Sequence, residues 1–255
     1  MYEPRTITFT VPSGAIYTIR EQNGEDEDIL TNTRDIKNNQ NINKFLAAII
    51  VSKSENENTK GNRVNIADVL DMPLLDKYAI LFYSRIFSIG DSLEFSYEWD
   101  KETKIEYEQN LLEYIYEDYS NVSEEEIESK PNAIKKYPLG SRLKDIEVTL
   151  FTGKKIKFDI ATGNSEIFMM NLPESKRTRN SELLAHNLCL EVDGKYERVQ
   201  NFSMFNLREM AEIRSNISKV DPNFEGVTDI ENPTTGEVVK YPILADSHFF
   251  FLTGV

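Results

Sequence analysis

Apolar and polar residues alternate at the start of the chain. This pattern covers residues 6–11 and 15–20, and Pro12, Ser13 and Gly14 stand between the two runs. A period of two predicts β-strands, and proline with glycine between two such runs predicts a tight turn. The same signals recur at residues 92–99 with 105–108, at residues 145–151 with 155–160, and around residues 232–236. We therefore expect a series of β-hairpins.

Apolar runs with helical spacing separate these hairpins. Helices are predicted over residues 41–51, 74–89, 181–190 and 205–217. In the second run Leu75, Tyr78 and Phe82 fall on one face, and Gly90 is placed to end the helix. The order of hairpin, helices and hairpin thus occurs twice. We predict an α+β fold of two similar tandem halves, each a β-hairpin, helices and then a ribbon-like β-hairpin without metal.

The length of the chain suggests where these halves begin and end. A chain of 255 residues suits two units of roughly 120 residues better than one core. We place the first α+β half at residues 1–112 and the second at residues 142–255. Residues 113–141 are predicted to be an acidic linker or an exposed helix, because acids outnumber apolar side chains around residues 124–126. A docking site for a basic partner is the alternative for this segment.

Four consecutive acids, from Glu25 to Asp28, directly follow Gly24. In the first turn of a helix they would complement the unpaired N–H groups and the positive end of the helix dipole. A calcium loop would instead need oxygen ligands spread over about 12 residues around a central glycine. We predict a capped helix start, with a metal site and an exposed acidic contact as alternatives. Capping alone predicts that changing Asp26 and Asp28 together to Asn costs at most about 2 kcal/mol.

The charge of the chain narrows the choice of partners. Acidic residues outnumber basic ones by 43 to 29, which gives a net charge of −14. Phosphate backbones and anionic lipid headgroups are repelled by such a surface. The longest apolar run, residues 45–51, is far shorter than the roughly 20 residues of a membrane span. The N-terminus lacks a signal-peptide pattern, and the single Cys189 cannot form an intrachain disulfide. We expect a cytoplasmic protein that binds no nucleic acid and has no membrane span.

Reactive residues are few and scattered. His186 and His248 belong to different predicted elements, and Cys189 lies in an apolar stretch. None has a partner at catalytic spacing, and no P-loop, dinucleotide-binding or zinc-protease motif occurs. The basic run at residues 176–179 is too short to define a nucleic-acid groove. We predict structural roles for these residues, no catalytic, metal-binding or cofactor-binding residue, no cofactor, and no enzyme activity.

Three adjacent aromatic residues, Phe249, Phe250 and Phe251, stand near the end of the sequence. Along a strand the middle residue would point opposite to its neighbours, so burial of all three needs cover on both faces. The cover is either the protein's own core or another subunit. We predict that these three residues bind a partner, with one face of the strand on the core and the other on a different chain.

Several blocks of the sequence carry a family resemblance. They are IREQNGEDE at residues 19–27, NKFLAAIIV at residues 43–51, residues 76–88, and the turn at residues 232–236 with the aromatic tail. These blocks resemble baseplate hub assembly proteins and tail assembly chaperones of contractile-tailed, T-even-type bacteriophages. The resemblance implies a non-catalytic protein, either an assembly chaperone or a structural component, that binds other tail or baseplate hub proteins. It also implies work in the host cytoplasm during assembly, and leaves retention in the virion baseplate open.

The resemblance also bears on metal binding. Some relatives carry cysteine-based ribbons where this chain has hairpins near residues 99–105 and 233–238, and those cysteines are absent here. Packing of aromatic strand residues such as Phe95 and Trp99 would then have to hold the ribbons.

Two other functions stay open. A generic cytoplasmic adaptor or regulatory binding module would also suit an acidic chain without catalytic motifs. A hydrolase that uses carboxylates would need two of them to converge in a cleft, with a raised pKa.

Overall fold

A computed structural model describes residues 3–54, 61–101, 103–138, 142–244 and 247–251, with the side chains of Ser247 and His248 left out of the description. The polar residues 52–62 are expected to form a loop, and residues 55–60 of it lie outside the described part. The described chain combines helices with small antiparallel sheets, which confirms the predicted α+β class. The likeness of the two halves to each other stays a prediction.

The strands form two sheets and two ribbons in the described residues. They are β1 (Thr6–Thr10), β2 (Ile16–Arg20), β3 (Ile50–Ser54), β4 (Ser92–Glu98), β5 (Lys104–Asn110), β6 (Ile146–Thr149), β7 (Lys155–Phe158), β8 (Cys189–Val192), β9 (Lys195–Arg198), β10 (Val227–Glu231) and β11 (Val238–Pro242). The sheets have the orders β1–β2–β3 and β6–β7–β8–β9, and the ribbons are β4–β5 and β10–β11. All of these pairings are antiparallel.

The helices lie between and after these strands. They are α1 (Gly24–Thr31), α2 (Thr33–Lys37), α3 (Asn41–Ile49), α4 (Ile66–Leu70), α5 (Leu74–Ser88), α6 (Glu124–Ser129), α7 (Gly163–Asn171), α8 (Ser181–Ala185) and α9 (Leu207–Val220). Short 3-10 turns cover Leu111–Tyr114, Glu174–Lys176 and Ser247–Phe250.

Local sequence signals account for the hairpins. In the first one Gly14 adopts φ +85°, a conformation that glycine reaches without strain. The Val11 N–H donates to the Ala15 carbonyl at 2.9 Å and closes the turn. The hairpins predicted from alternation are confirmed at all the positions expected.

Two predicted helices end earlier than their apolar patterns suggest. The helix predicted over residues 41–51 ends at Ile49, and the chain continues as β3 beside β2. The helix predicted over residues 181–190 ends at Ala185, and Cys189 begins β8 beside β7. Both segments meet the edge of an existing sheet, and pairing there satisfies backbone groups that a longer helix would have used internally.

Helix α5 lies inside the larger of two hydrophobic cores, which we call the first core. Residues 79–85 are all buried, so the helix is covered on every side and not along the single predicted face. The first core also contains side chains from the C-terminal part of the chain: Ile160, Ile243, Phe249 and Phe250. The second core lies between the four-stranded sheet and α9 and includes Ile156, Phe158 and Ile213.

Aromatic rings join the two ribbons to each other. Phe95 stacks on Tyr241 with ring centroids 4.2 Å apart. The Tyr107 hydroxyl accepts a hydrogen bond from Trp99 Nε1 at 2.7 Å and donates one to the Glu231 carbonyl at 2.9 Å. The ribbon β4–β5 therefore packs on the ribbon β10–β11, which comes from the C-terminal part of the chain.

Residues 113–131 combine an exposed helix with buried tyrosines. Helix α6 has no buried residue. Tyr114, Tyr116 and Tyr119 are at most 2% exposed and belong to the first core. The prediction of an exposed segment holds for α6 and fails for these tyrosines, because burial of their large rings is favourable while the neighbouring Glu113 and Glu117 stay exposed.

Candidate functional site

The C-terminal phenylalanines lie in and directly after the 3-10 turn at Ser247–Phe250, not in a strand. Phe249 is 0% exposed and packs edge-on against Phe82, with ring centroids 5.2 Å apart. Phe250 is 5% exposed in the same core, and Phe251 is half-buried against it. The predicted strand is wrong, because successive residues of a 3-10 turn point about 120° apart and two neighbours can face one core. The predicted partner contact of these three residues stays a prediction, and Phe251 is the one of them that is not fully buried.

The four consecutive acids from Glu25 to Asp28 lie in the first turns of helix α1, which confirms the prediction of a capped helix start. The Asn23 side chain accepts a hydrogen bond from the Glu25 N–H at 2.9 Å, and Asp26 accepts one from the Asn23 N–H at 2.8 Å. Asp26 also accepts two hydrogen bonds of 2.7 Å from Arg20 and is 1% exposed. Asp28 is exposed. The four acids therefore divide into one buried ion-pair partner and three surface carboxylates.

His186 connects two segments of the second half. Its Nδ1 lies 3.0 Å from the Asp159 carbonyl and 3.6 Å from Asp221 Oδ2. Asp221 also accepts a hydrogen bond from the Ala161 N–H at 2.7 Å. Burial raises the pKa of Asp221, while that hydrogen bond and His186 lower it. This arrangement suits the structural role predicted for His186.

Within the described part of the chain, Cys189 and the basic run at residues 176–179 do not converge with His186 on a site. Cys189 is half-buried, and burial raises the pKa of its thiol, which disfavours the nucleophilic thiolate. In the basic run, Arg177 donates to the carbonyls of Met170 and Leu172 and closes the end of α7. The side chain of His248 lies outside the described residues.

Three exposed apolar side chains, Phe151, Met204 and Leu207, stand on two segments that hydrogen bonds and an ion pair tie together beside the second core, and we call this surface the Leu207 corner. Leu207 begins α9 and is 90% exposed. Phe151, in the β6–β7 turn, and Met204 are 49% and 40% exposed. The guanidinium of Arg208 lies 4.3 Å from the ring centroid of Phe151. Apolar side chains grouped on a surface in this way are typical of protein-binding sites.

An ion pair attaches the β6–β7 turn to the start of α9. Glu209 is 0% exposed, accepts a hydrogen bond from the Thr152 hydroxyl, and pairs with Lys154 Nζ at 3.0 Å. Lys154 also donates to the Met204 carbonyl at 2.6 Å. The Thr152 hydroxyl is the main cause that holds the pKa of Glu209 below its ordinary value. The two segments that carry the Leu207 corner are therefore tied together before any partner binds.

The sequence pattern does not predict that the residues of the Leu207 corner are exposed. Leu207 stands three residues before the buried Met210, and this spacing predicts the same buried helix face for both. Phe151 is the last residue of a predicted strand. The sequence signal that could have located the exposed Leu207 is Asn206. This residue caps α9, so Leu207 lies in the first turn of the helix, where the second core does not cover it.

A cleft of about 950 Å³, which we call the Asp76 cleft, opens where residues 13–76 meet residues 143–162. The two parts of the chain touch there, because Pro73 forms an isolated β-bridge with Thr162. Among the described residues, its walls carry three cations and three carboxylates: Lys53, Arg63, Lys144, Asp68, Asp71 and Asp76. The cleft is thus charged with both signs.

Asp76 lies at the inner end of this cleft, in the first turn of α5, and is 1% exposed. It accepts hydrogen bonds from the Ser13 N–H at 2.9 Å and from the Ser13 hydroxyl at 2.6 Å. Burial raises the pKa of Asp76 to about 7, although Ser13 and Lys53 lower it. A buried carboxyl in a cleft that changes charge near neutral pH is a candidate functional group.

A hydrolase would need a second carboxylate to work with Asp76. Asp68 accepts a hydrogen bond from the Asn65 N–H at 2.8 Å and completes the cap of α4. Asp71 accepts one from the Asn164 amide at 2.8 Å. Both carboxylates hold helices in place, so the geometry of the cleft favours binding over paired acid–base chemistry.

General properties and comparisons complete the description of the site. None of the helices in the described ranges has the length and apolar character needed to cross a membrane. Among the same residues, no three His, Cys, Asp or Glu side chains are grouped so that they could hold a metal ion. Comparisons with protein-family models, curated proteins and solved structures find no match for this chain.

Proposed function

We propose that this chain is a non-catalytic protein that helps to assemble a phage tail or baseplate hub by binding other proteins of that structure. Its place of work is the host cytoplasm during assembly. The observation that carries the proposal is the Leu207 corner, where three apolar side chains are exposed on a surface fixed by a buried glutamate. The phage setting is supported by the sequence blocks at residues 19–27, 43–51 and 76–88.

Burial of the Leu207 corner would supply free energy for association. Full burial of a leucine or phenylalanine side chain contributes about 1.5–3 kcal/mol. Leu207 is 90% exposed, so almost all of this contribution is still available to a partner. The ordered turn beneath it lowers the entropy cost of binding. A few such side chains at the centre of an interface commonly dominate its affinity.

The proposal is tested by capturing partners from infected cells with the full chain as bait. Leu207→Ser and Phe151→Ser are compared with Ile36→Ser, which removes an apolar side chain that is 48% exposed on α2. We expect the first two variants to bind the partner at least about tenfold more weakly, and the third to bind normally. Because all three positions are largely exposed, the melting temperatures should stay close to that of the parent protein.

The identity of the captured proteins separates the competing functions. Tail or baseplate proteins would support the proposal, whereas host proteins captured from uninfected cells would favour the cellular adaptor. Equal binding by all three variants would place the interface elsewhere, with Phe251 as the next position to change. A hydrolytic activity that disappears in Asp76→Asn would favour the hydrolase.

A further inference from the structure

The Asp76 cleft has the dimensions of a small-molecule site. Its volume of about 950 Å³ lies within the range of roughly 300–1,000 Å³ that such sites occupy. It is formed at a junction between two parts of the chain, which is a common position for ligand sites. The protein-binding function proposed above makes no use of it.

Three cations reach this cleft from separate segments. Lys53 lies on β3, Arg63 precedes α4, and Lys144 precedes β6. None of the three forms a salt bridge with another described residue. Lys77, next to Asp76 on α5, is by contrast paired with Glu166. In a chain of net charge −14, these three cations offset the three carboxylates of the cleft, so an anion meets less repulsion there than over the rest of the surface.

In the part of the chain that the structure describes, the carboxylates of the cleft do not pair with its three cations, so the cations can bind an anion. Asp68 and Asp71 are held by the hydrogen bonds from Asn65 and Asn164. Each oxygen of Asp76 accepts one hydrogen bond, both from Ser13. Since a carboxylate oxygen can accept two, Asp76 can still accept from a hydroxyl or amine group of a ligand. The cleft therefore offers cations at its mouth and an acceptor at its inner end.

Helix N-termini do not supply the anion contacts in this cleft. At the start of α5, the Leu74 N–H donates to the Ala161 carbonyl at 3.0 Å. At the start of α7, the Gly163 N–H donates to the Met72 carbonyl at 3.1 Å. These groups are used within the chain, so the side chains of the three cations must hold the anion.

We propose that the Asp76 cleft binds a small molecule that carries both an anionic oxygen group and a hydroxyl or amine group. Lys53, Arg63 and Lys144 hold the anionic group, which is a phosphate, a sulfate or a carboxylate. Asp76 accepts a hydrogen bond from the hydroxyl or amine. Because the cations come from both parts of the chain, the bound molecule also links Lys53 and Arg63 to the segment that precedes β6.

Binding of an anion in this cleft should depend on pH. Burial raises the pKa of Asp76 to about 7, so at higher pH this group adds a negative charge that opposes the anion. The other groups that face Asp76, besides the charged residues of the cleft named above, are Ser13, Tyr17, Tyr119 and Tyr137. Burial raises the pKa of all three tyrosines, so they stay neutral. Anion affinity should fall between about pH 6 and about pH 8.

The test uses sulfate as the probe, because its charge is constant in this pH range, with succinate as a second probe for carboxylate ligands. The full chain is labelled with nitrogen-15, and its amide signals are followed while sulfate replaces chloride at constant ionic strength. Constant ionic strength separates binding at the site from general screening of charges by salt. We expect saturable shifts at the amides of Lys53, Arg63 and Lys144. Affinity should fall at least about tenfold in Lys53→Gln and Arg63→Gln.

The controls define what would overturn the proposal. Arg63→Lys should keep most of the affinity, and Lys219→Gln, at an exposed position on α9, should keep all of it. Tighter binding of sulfate assigns a phosphate or sulfate ligand, and tighter binding of succinate assigns a carboxylate. Shifts that do not saturate, or an equal loss in Lys219→Gln, would overturn the site. The same pH dependence in Asp76→Asn as in the parent protein would overturn the role of Asp76.

Discussion

Asp26 and Asp28 share one helical turn but have different surroundings. Asp26 is 1% exposed and bound by Arg20, whereas Asp28 is exposed. We expect Asp26→Asn to lower the free energy of unfolding by about 3 kcal/mol, because a mostly buried guanidinium loses its carboxylate. Asp28→Asn should change it by less than about 0.5 kcal/mol. Urea denaturation measures both values.

Equal, small effects of the two changes would show that the pair with Arg20 contributes no more than a surface contact does. The estimate from sequence, at most about 2 kcal/mol for both changes together, includes capping alone. The ion pair adds a second term, which depends on a residue of β2 and not on the helix itself.

The buried Asp76 predicts how stability changes with pH. Its pKa is raised from 3.8 to about 7, so between these values the folded protein keeps a proton that the unfolded chain releases. Stability should therefore fall as pH rises from about 4 to about 7, by at most about 1.4 kcal/mol per unit, and then stop changing through this group. Asp76→Asn should remove this slope, and its amide can replace both bonds, with the oxygen accepting from the Ser13 N–H and the NH2 group donating to the Ser13 hydroxyl. Denaturation at several pH values measures the slope of stability against pH. Equal slopes for the parent protein and for Asp76→Asn would contradict this account.

Among the elements, the C-terminal 3-10 turn completes the first core. Phe249 contacts Phe82, and the ring of Phe250 lies 5.3 Å from that of Phe45. Phe249→Ala and Phe250→Ala should each lower the free energy of unfolding by about 3–5 kcal/mol. Phe251→Ala, at a half-buried position, should cost about 1 kcal/mol. Denaturation curves that rank Phe251 first would mean that the turn packs differently.

The two ribbons should be held by aromatic packing and not by metal. A chelator is expected to leave the melting temperature unchanged, whereas Tyr241→Ala, which removes the ring stacked on Phe95, should lower it. Both effects are measured by thermal denaturation. Stoichiometric zinc in the purified protein, or a drop of several degrees with the chelator, would show that the ribbons depend on metal.

For the whole molecule, the first core needs residues from both parts of the chain. Full burial of Ile160, Ile243, Phe249 and Phe250 contributes about 1.5–3 kcal/mol each, or roughly 6–12 kcal/mol together. This sum is comparable with the about 5–15 kcal/mol that stabilises a typical domain. A fragment of residues 1–141 is therefore expected not to fold by itself. A cooperative thermal transition of this fragment, followed by circular dichroism, would contradict the expectation.

Sequence alone determined the features that neighbouring residues control. Gly14 specifies a turn, and Asn23 with Asp26 specifies a helix start, because the groups that interact are only a few positions apart. Alternation located the hairpins for the same reason. The α+β class and the acidic surface then followed from the order of these elements and from the composition.

Tertiary structure decided which of these residues are covered. Phe249 and Phe250 turn into the first core, and Leu207 stays exposed although its spacing from Met210 predicts burial. The raised pKa of Asp76 reflects its burial, and its bonding partner Ser13 is 63 positions away in the sequence. Burial, and therefore the Leu207 corner and the Asp76 cleft, depends on which distant segment packs over a residue. A pattern read over neighbouring positions does not contain that information, because long-range packing selects among segments of similar apolar character.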